Sequence, residues 1–292
     1  MTSYAPPAPG VRAWADERPR LLGLAYQMLG GLADAEDVLA EVGEQVARMS
    51  RPDQDVVRSW PAFLTTLVTR RSIDALRAAT RRREDYIGPW LPEPVDTARL
   101  PDAEVMDREM LSLGMLHLME QLSPEARAAY VLKNGFGMSA PQIAEILDST
   151  PAAVRQVLSR AARRLEPDRE PAHEPAAVRT LLAELLDAVS AGDVDRTVSL
   201  LTDDVTWWSD GGGRVKAAIN PIFGPDRVAR FLVGVFADRG GVAVEWRNVN
   251  GASALVLVYD GRSHVLHVEA AAGRVRAIRF VANPDKLARL DG

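Results

Sequence analysis

Asp210 is followed by three glycines, Gly211, Gly212 and Gly213, and preceded by Trp207 and Trp208. A carboxylate beside a run that tolerates positive φ suits two tasks. It could act as acid or base in a pocket. It could instead accept backbone N–H bonds where another segment packs closely, as a latch. Acid–base chemistry would recruit His264, His267 and Glu269. His264 and His267 lie three apart on an expected strand, so they point to opposite faces and cannot line one cavity. They also make a poor metal pair, and no carboxylate–histidine spacing singles out a catalytic set. The chain has no cysteine, which removes disulfides, thiolate metal sites and thiol nucleophiles and suits a reducing compartment. No enzyme, metal site or cofactor is therefore expected. The latch is the favoured reading of Asp210, and a tight hairpin is the plainer one.

A second chemistry is carried by donors. On the helix expected from "PAAVRQVLSRAARRL", Val154, Val157, Leu158, Ala161 and Leu165 form an apolar stripe. Ala152, Arg155, Gln156, Ser159 and Arg163 share the opposite face, flanked by Arg160. A short helix, "SAPQIAEIL", and the turn "DST" precede it. This is the pattern of a helix-turn-helix whose second helix presents guanidinium, amide and hydroxyl groups to base edges and phosphates. A further helix carries Arg70, Arg71, Arg77, Arg81 and Arg82. Arg70, Arg77 and Arg81 gather on one side, which suits backbone phosphates, although such a face alone is more often merely solvated. The acidic face Asp34, Asp37, Glu41 and Glu44 would suit a basic protein partner.

These groups need positioning elements. The composition is that of a globular protein, and 292 residues allow two or three domains. The net charge of −5 argues against a general nucleic-acid binder, but the charge is segregated. Arg70–Arg83 holds six arginines and one acid, Ala152–Arg164 four arginines and no acid, and Leu91–Asp107 five acids and one arginine. No apolar run approaches the ~20 residues of a membrane helix. The N-terminus lacks the pattern of a secretory signal, so a cytoplasmic protein without membrane association is expected. The predicted organisation is a disordered lead over 1–10, a helical domain over 11–89, an acidic linker over 90–105, and a second helical domain over 106–166. A Pro-rich linker over 167–177 and an α+β domain over 178–292 follow. In the last domain an amphipathic helix from Val178 to Val189 and a helix in "PDRVARFLVGVF" precede four strands. Asn250-Gly251 and Asp260-Gly261 read as hairpin turns between them. Gly43, inside an expected helix, costs about 1 kcal/mol relative to alanine.

The order of "RPRLLGLAYQMLGGLADAEDV", "LRAATRRREDYIGPWLPEP", "LSPEARAAYVLKNGFGMSAPQIAEIL" and "STPAAVRQVLSRAARR" closely resembles extracytoplasmic-function sigma factors of bacterial RNA polymerase. "WLPEP", "SDGGG" and "NPDKL" resemble the branch with a SnoaL-like extension. The resemblance implies two all-α sigma domains, the second with a helix-turn-helix, followed by an α+β SnoaL-like domain with a cone-shaped, curved antiparallel sheet. It implies core RNA polymerase as partner, with its β′ clamp helices on Asp34, Asp37 and Glu41 and its β flap engaged as well. Promoter DNA would meet the minus-ten reader near Arg70–Arg82. The minus-thirty-five reader would comprise Arg155, Gln156, Ser159, Arg160 and Arg163. The acidic linker would thread toward the polymerase active-site channel.

The latch would join Trp90, Leu91, Pro92, Glu93 and Pro94 to Asp210, Gly211, Gly212 and Gly213. Asn283, Pro284, Asp285 and Lys286 would complete it. The C-terminal domain would pack on the region-two domain and linker in cis. The cone could hold a small ligand, which no residue identifies. Two other functions compete. A stand-alone helix-turn-helix regulator with a ligand-sensing domain would bind an operator without polymerase, usually as a dimer. A SnoaL-like enzyme with a DNA-binding appendage would need the catalytic set that the sequence lacks.

Overall fold

In a computed structural model of the chain the described residues are 8–83, 85–96, 108–165, 175–236, 242–259 and 261–290. The chain divides into two compact units. One comprises Met1–Arg82, Leu100–Met110 and Met119–Pro167. The other comprises Arg83–Arg99, Leu111–Leu118 and Asp168–Gly292.

The first unit is helical. α1 (Pro9–Leu29) ends at Gly30, whose φ of 72° gives the left-handed cap that glycine adopts without strain. The helix starts inside the expected lead of residues 1–10, of which 1–7 lie outside the described residues. Pro9 fits a first turn, and the Gly10 N–H bonds to Gln54 Oε1 at 3.0 Å. α2 (Leu32–Arg48) buries Ala35, Val38, Leu39, Val42 and Val46, the face its apolar spacing dictates. Gly43 has a packing reason: a Cβ there would meet the Trp14 indole at 3.0 Å. A short α3 (Arg51–Asp55), capped by Ser50, leads to the long α4 (Trp60–Arg83), which buries Leu64, Val68, Ile73 and Leu76. α5 (Arg108–Leu111) and α6 (Leu113–Leu118) follow, then α7 (Pro124–Asn134), α8 (Ala140–Ile146) and α9 (Pro151–Leu165). Ser123 accepts from Ala126 N and Thr150 from Ala153 N, so each helix opens on its cap with proline at its first position.

The second unit is a helix-covered sheet. α10 (Pro175–Ser190) and α11 (Val194–Ser199) precede β1 (Leu201–Asp210) and β2 (Ile222–Phe223), then α12 (Pro225–Phe236). β3 (Ala243–Val249), β4 (Ala252–Tyr259), β5 (Arg262–Ala271), β6 (Arg274–Val281) and α13 (Pro284–Leu287) complete it. The strand order is β2-β1-β6-β5-β4-β3. The β3–β6 meander matches the four expected strands, and Asn250 and Gly251, at φ 55° and 75°, make the expected tight turn. β1 was not expected, and it pairs with β6 in parallel. Both faces of its second half are buried, so the apolar/polar alternation that marks a strand is missing there.

One sheet face packs on α10 and α12 through Leu182, Leu185, Trp207, Val228, Leu232 and Phe280. The other face carries Val249, Ala254, Val256, Val265 and Val281, and it is covered by Leu91, Leu113, Leu287 and Leu290. The expected boundaries at residues 90, 106 and 178 therefore do not coincide with the compact units. Leu91 and Leu113 are core residues of the sheet, and hydrophobic burial groups them with the strands they cover. Leu91 is 0% exposed. Replacing it with alanine should lower the unfolding free energy of the second unit by about 2–5 kcal/mol. A urea titration followed by tryptophan fluorescence would read this, and a loss below about 0.5 kcal/mol would instead mark a tether.

Candidate functional site

On α9 the residues expected to read DNA, Arg155, Gln156, Ser159, Arg160 and Arg163, are all exposed, while Val154, Ala161 and Leu165 are buried. Asp148, at φ 51°, turns the chain between α8 and α9. Arg70, Arg71, Arg77, Arg81 and Arg82 of α4 are also exposed, but three of them are engaged inside the first unit. Arg70 Nε donates to the Ile146 carbonyl at 3.0 Å. Arg77 Nη2 pairs with Glu125 at 2.6 Å and Nη1 with Asp74 at 3.0 Å. Arg82 approaches Asp34 at 3.7 Å. Deeper in the same unit Arg127 of α7, 1% exposed, donates Nε and Nη2 to the Gln27 carbonyl of α1 at 3.2 and 3.1 Å. Asp37 and Glu41 are exposed on α2. Glu41, Glu44, Gln45, Arg48, Met49 and Arg71 line one open depression.

In the second unit the polar residues singled out in the sequence converge on one buried carboxylate. Asp210 closes β1 and is 0% exposed. Its Oδ1 accepts from the Tyr86 hydroxyl at 2.5 Å and from Gly212 N at 3.0 Å. Its Oδ2 accepts from Leu91 N at 2.9 Å and from Lys286 Nζ at 2.6 Å. Lys286 also donates to the Leu91 carbonyl and sits over the Trp90 ring at 4.0 Å, with Arg83 over the same ring at 3.3 Å. Asn283 donates to the Tyr86 hydroxyl at 2.9 Å and caps α13 by accepting from Asp285 N. Asp285 itself pairs with Arg214 at 3.2 Å. Pro284 is exposed, whereas Pro92, Glu93 and Pro94 are buried, with Arg289 4.0 Å from Glu93.

The glycines are required by contact. A Cβ on Gly212 would fall 2.2 Å from the Asn283 amide, and one on Gly211 would fall 2.6 Å from the Val215 carbonyl. Gly212 and Gly213 have φ of 58° and 68°. This environment pushes the Tyr86 phenol upward, first by burial and then through Asp210.

The sequence comparisons give these two units an identity. Residues 14–82 match Sigma-70 region 2, residues 112–165 match Sigma-70 region 4, and residues 182–283 match the SnoaL-like domain. The chain is 35% identical over 296 residues to the ECF RNA polymerase sigma factor SigJ of Mycobacterium tuberculosis, covering 92% of this chain and 90% of that relative. The chain belongs to the extracytoplasmic-function sigma factors. The crystal structure of the Mycobacterium tuberculosis factor SigJ superposes with a TM-score of 0.75 at 32% identity, covering 95% of this chain and 98% of that one. A probable ECF sigma factor of the same organism, SigI, is 28% identical over 280 residues, 94% of this chain and 93% of that relative.

This sigma factor thus carries helical regions two and four and a SnoaL-like C-terminal domain. No described helix is long and apolar enough to cross a membrane. The residues proposed for acid–base chemistry are dispersed. His264 stacks between Tyr259 and Phe280, at 4.0 and 5.5 Å, on the face packed by the helices. His267 and Glu269 lie on the opposite face.

Three functional candidates escaped the sequence reading: Asn250, His117 and Arg279. Asn250, fully buried, accepts from Val95 N and donates to the Leu111 carbonyl, both at 2.9 Å. Arg279 donates to His117 Nδ1 at 3.2 Å and pairs with Glu269 at 2.8 Å. Asn-Gly signals only a turn, and a lone arginine in a strand reads as solvent-facing, so nothing local marked them.

Burial, then Arg279 and Lys286, lowers the His117 pKa to about 3 from an ordinary 6.5. Burial, then Arg279, lowers that of His267 to about 4, against an opposing pull from Glu269. The unfolded chain binds these protons first, so the stabilisation is complete above pH ~6.5 and is lost as pH falls toward the folded values. Urea midpoints of the second unit should fall from pH 6.5 to pH 4.5, by up to ~1.4 kcal/mol per pH unit for each histidine. The double variant His117→Gln/His267→Asn should flatten that slope.

Proposed function

We propose that the C-terminal domain regulates this sigma factor in cis by holding the interdomain linker, and that it does no catalysis of its own. The observation that carries the reading is the commitment of Asp210. Its two oxygens accept from Tyr86, Gly212, Leu91 and Lys286. A carboxylate so saturated and dry has no lone pair or water path left for acid–base work. Breaking a buried pair of this kind typically costs about 3–5 kcal/mol, enough to keep the linker seated until a partner offsets it.

The DNA- and polymerase-facing roles follow from the exposed faces. Arg155, Gln156, Ser159, Arg160 and Arg163 read the minus-thirty-five element in the major groove. Arg70, Arg71, Arg77, Arg81 and Arg82 meet the minus-ten region. Arg70 and Arg77 must first leave Ile146 and Glu125, so engagement of region two with DNA competes with its contacts to region four. Asp34, Asp37 and Glu41 take the β′ clamp helices, and region four takes the β flap. The protein then works in the cytoplasm with core polymerase. The C-terminal domain holds the stretch that begins where α4 ends, through Tyr86 and Leu91. A stand-alone repressor would have no use for a separate arginine-rich region-two helix.

Run-off transcription with purified core polymerase and a selected promoter pool tests this. The full chain, a chain ending at residue 167, and Asp210→Asn would be compared. Promoter-specific transcript from all three, with altered level or promoter choice in the last two, is expected. No transcript from any would remove the assigned promoter contacts, and equal transcript would remove the cis regulation. Arg155→Ala should cost about 1–3 kcal/mol of discrimination at one minus-thirty-five position, read by binding the holoenzyme to single-base promoter variants.

A further inference from the structure

Residues 97–107 join the two DNA-reading regions in sequence, but the groups on either side of them meet on one side chain. Asn250 Oδ1 accepts from Val95 N while Asn250 Nδ2 donates to the Leu111 carbonyl, each at 2.9 Å. The Asn250 backbone N–H adds a bond to the Val95 carbonyl at 2.9 Å, and Asp96 bridges Val249. The seventeen residues from Val95 to Leu111, able to span ~55 Å when extended, are thus closed at both ends on one side-chain amide. Just beyond Leu111 comes α6. It lies inside the segment that matches region four, residues 112–165, yet it clusters with the SnoaL-like domain, while α7, α8 and α9 belong to the other unit.

The hold on α6 is built as a fixed seat. Leu113 enters the sheet core. Gly114 lies so close to Glu269 that a Cβ would fall 1.6 Å from its Oε1, and 3.3 Å from Arg279 Nη1. Arg279, 2% exposed, pairs with Glu269 at 2.8 Å and donates Nε to His117 at 3.2 Å. His117 and the Arg279 guanidinium both lie against the Trp208 ring, at 5.3 and 5.2 Å. An apolar contact such as that of Leu113 permits sliding. A buried guanidinium between a carboxylate and an imidazole does not, because displacement strands a charge out of water.

We infer that the SnoaL-like domain, through Asn250 and the Arg279–Glu269–His117 seat, rather than the length of the linker, sets the separation between promoter elements that this sigma factor accepts. The inference rests on the assigned roles of regions two and four in reading DNA, and it is independent of the Asp210 contacts. From the seat the chain enters the first unit directly at Met119, whose short 3-10 turn, Met119–Gln121, leads to α7. Region four is therefore leashed to the sheet. Region two is leashed to the same sheet through Tyr86–Val95. Lengthening the chain over 97–107 adds residues between two points that already meet on Asn250, and the entropy of such a closure grows only slowly with length.

The test is a promoter series in which the spacer between the two elements changes one base pair at a time, transcribed by the reconstituted holoenzyme. A six-residue Gly-Ser insertion after Asp102 should leave the wild-type optimum in place. Asn250→Gly keeps the left-handed turn and removes the amide. Arg279→Met keeps the volume and removes the charge. Each should broaden the spacer profile by a base pair or more, and in either background the insertion should broaden it further. Gly114→Ala, whose methyl displaces Glu269 from Arg279, should broaden the profile as well. The melting temperature of each variant is measured alongside, and only chains still folded at the assay temperature are compared. An insertion that shifts the wild-type optimum, or variants that only scale transcript equally at every spacer, would overturn the inference. Broadening by these variants beside an inert Asp210→Asn would leave it standing and remove the Asp210 regulation alone.

Discussion

The second unit depends on a carboxylate that water cannot reach. Asp210 lies at the end of a central strand, where β1 meets β6. Left alone there, it would carry a large desolvation penalty. The chain offsets that penalty with donors from three separate stretches: Tyr86 and Leu91 from the segment after α4, Gly212 from the turn that follows Asp210, and Lys286 from α13. Remote segments are bound by one requirement, that every lone pair of a buried anion be met. The glycines and Asn283 follow from the same crowding, since no side chain fits between Asp210 and α13. Residues 85–96 are therefore part of the C-terminal fold, with Leu91 in its core.

The general architecture was readable because it rests on local rules. Caps at Ser123 and Thr150, the apolar stripes of α2 and α9, and the Asn-Gly turn each depend on a few neighbouring residues. The order of basic helices, acidic linker and mixed C-terminal domain pointed to the family. What stayed hidden depends on partners far away in sequence. Parallel pairing of β1 with β6 leaves no hairpin signature, and two-sided burial erases alternation. α6 has the composition of any short helix, and only the sheet beneath it shows that it belongs with residues 168–292. Gly43 looked like a defect in a helix until the Trp14 indole lay on it.

The site was legible in its members more than in its bonds. Asp210, the glycines, Asn283, Lys286 and Trp90-Leu91 stood out as groups needing partners, and they do lie together. Which atom met which could not be read. Tyr86 was quoted in the sequence but given no role, yet it is the phenol shared by Asp210 and Asn283. On the helical side, exposure on α9 agrees with the expected face, but the engagement of Arg70 and Arg77 inside the first unit was invisible. A row of arginines in sequence carries no sign of the carbonyls and carboxylates that will face it.

The three holds on the linker and α6 are all polar at their centres, and that choice has consequences. A purely apolar seat of the same area would bind as firmly and would be indifferent to register. Asp210–Lys286, the Asn250 amide and Arg279–Glu269 each fail outright when displaced by an ångström or two, because a buried donor or charge is then left unmatched. Such contacts are close to two-state: fully made or released. A factor that must present two DNA readers at one separation benefits from the first condition, and a regulated factor benefits from the second. Released donors are not stranded if a partner supplies water or new acceptors as the contact opens. Polar centres therefore allow one surface to be exacting when closed and still openable, which an apolar core of equal stability would not.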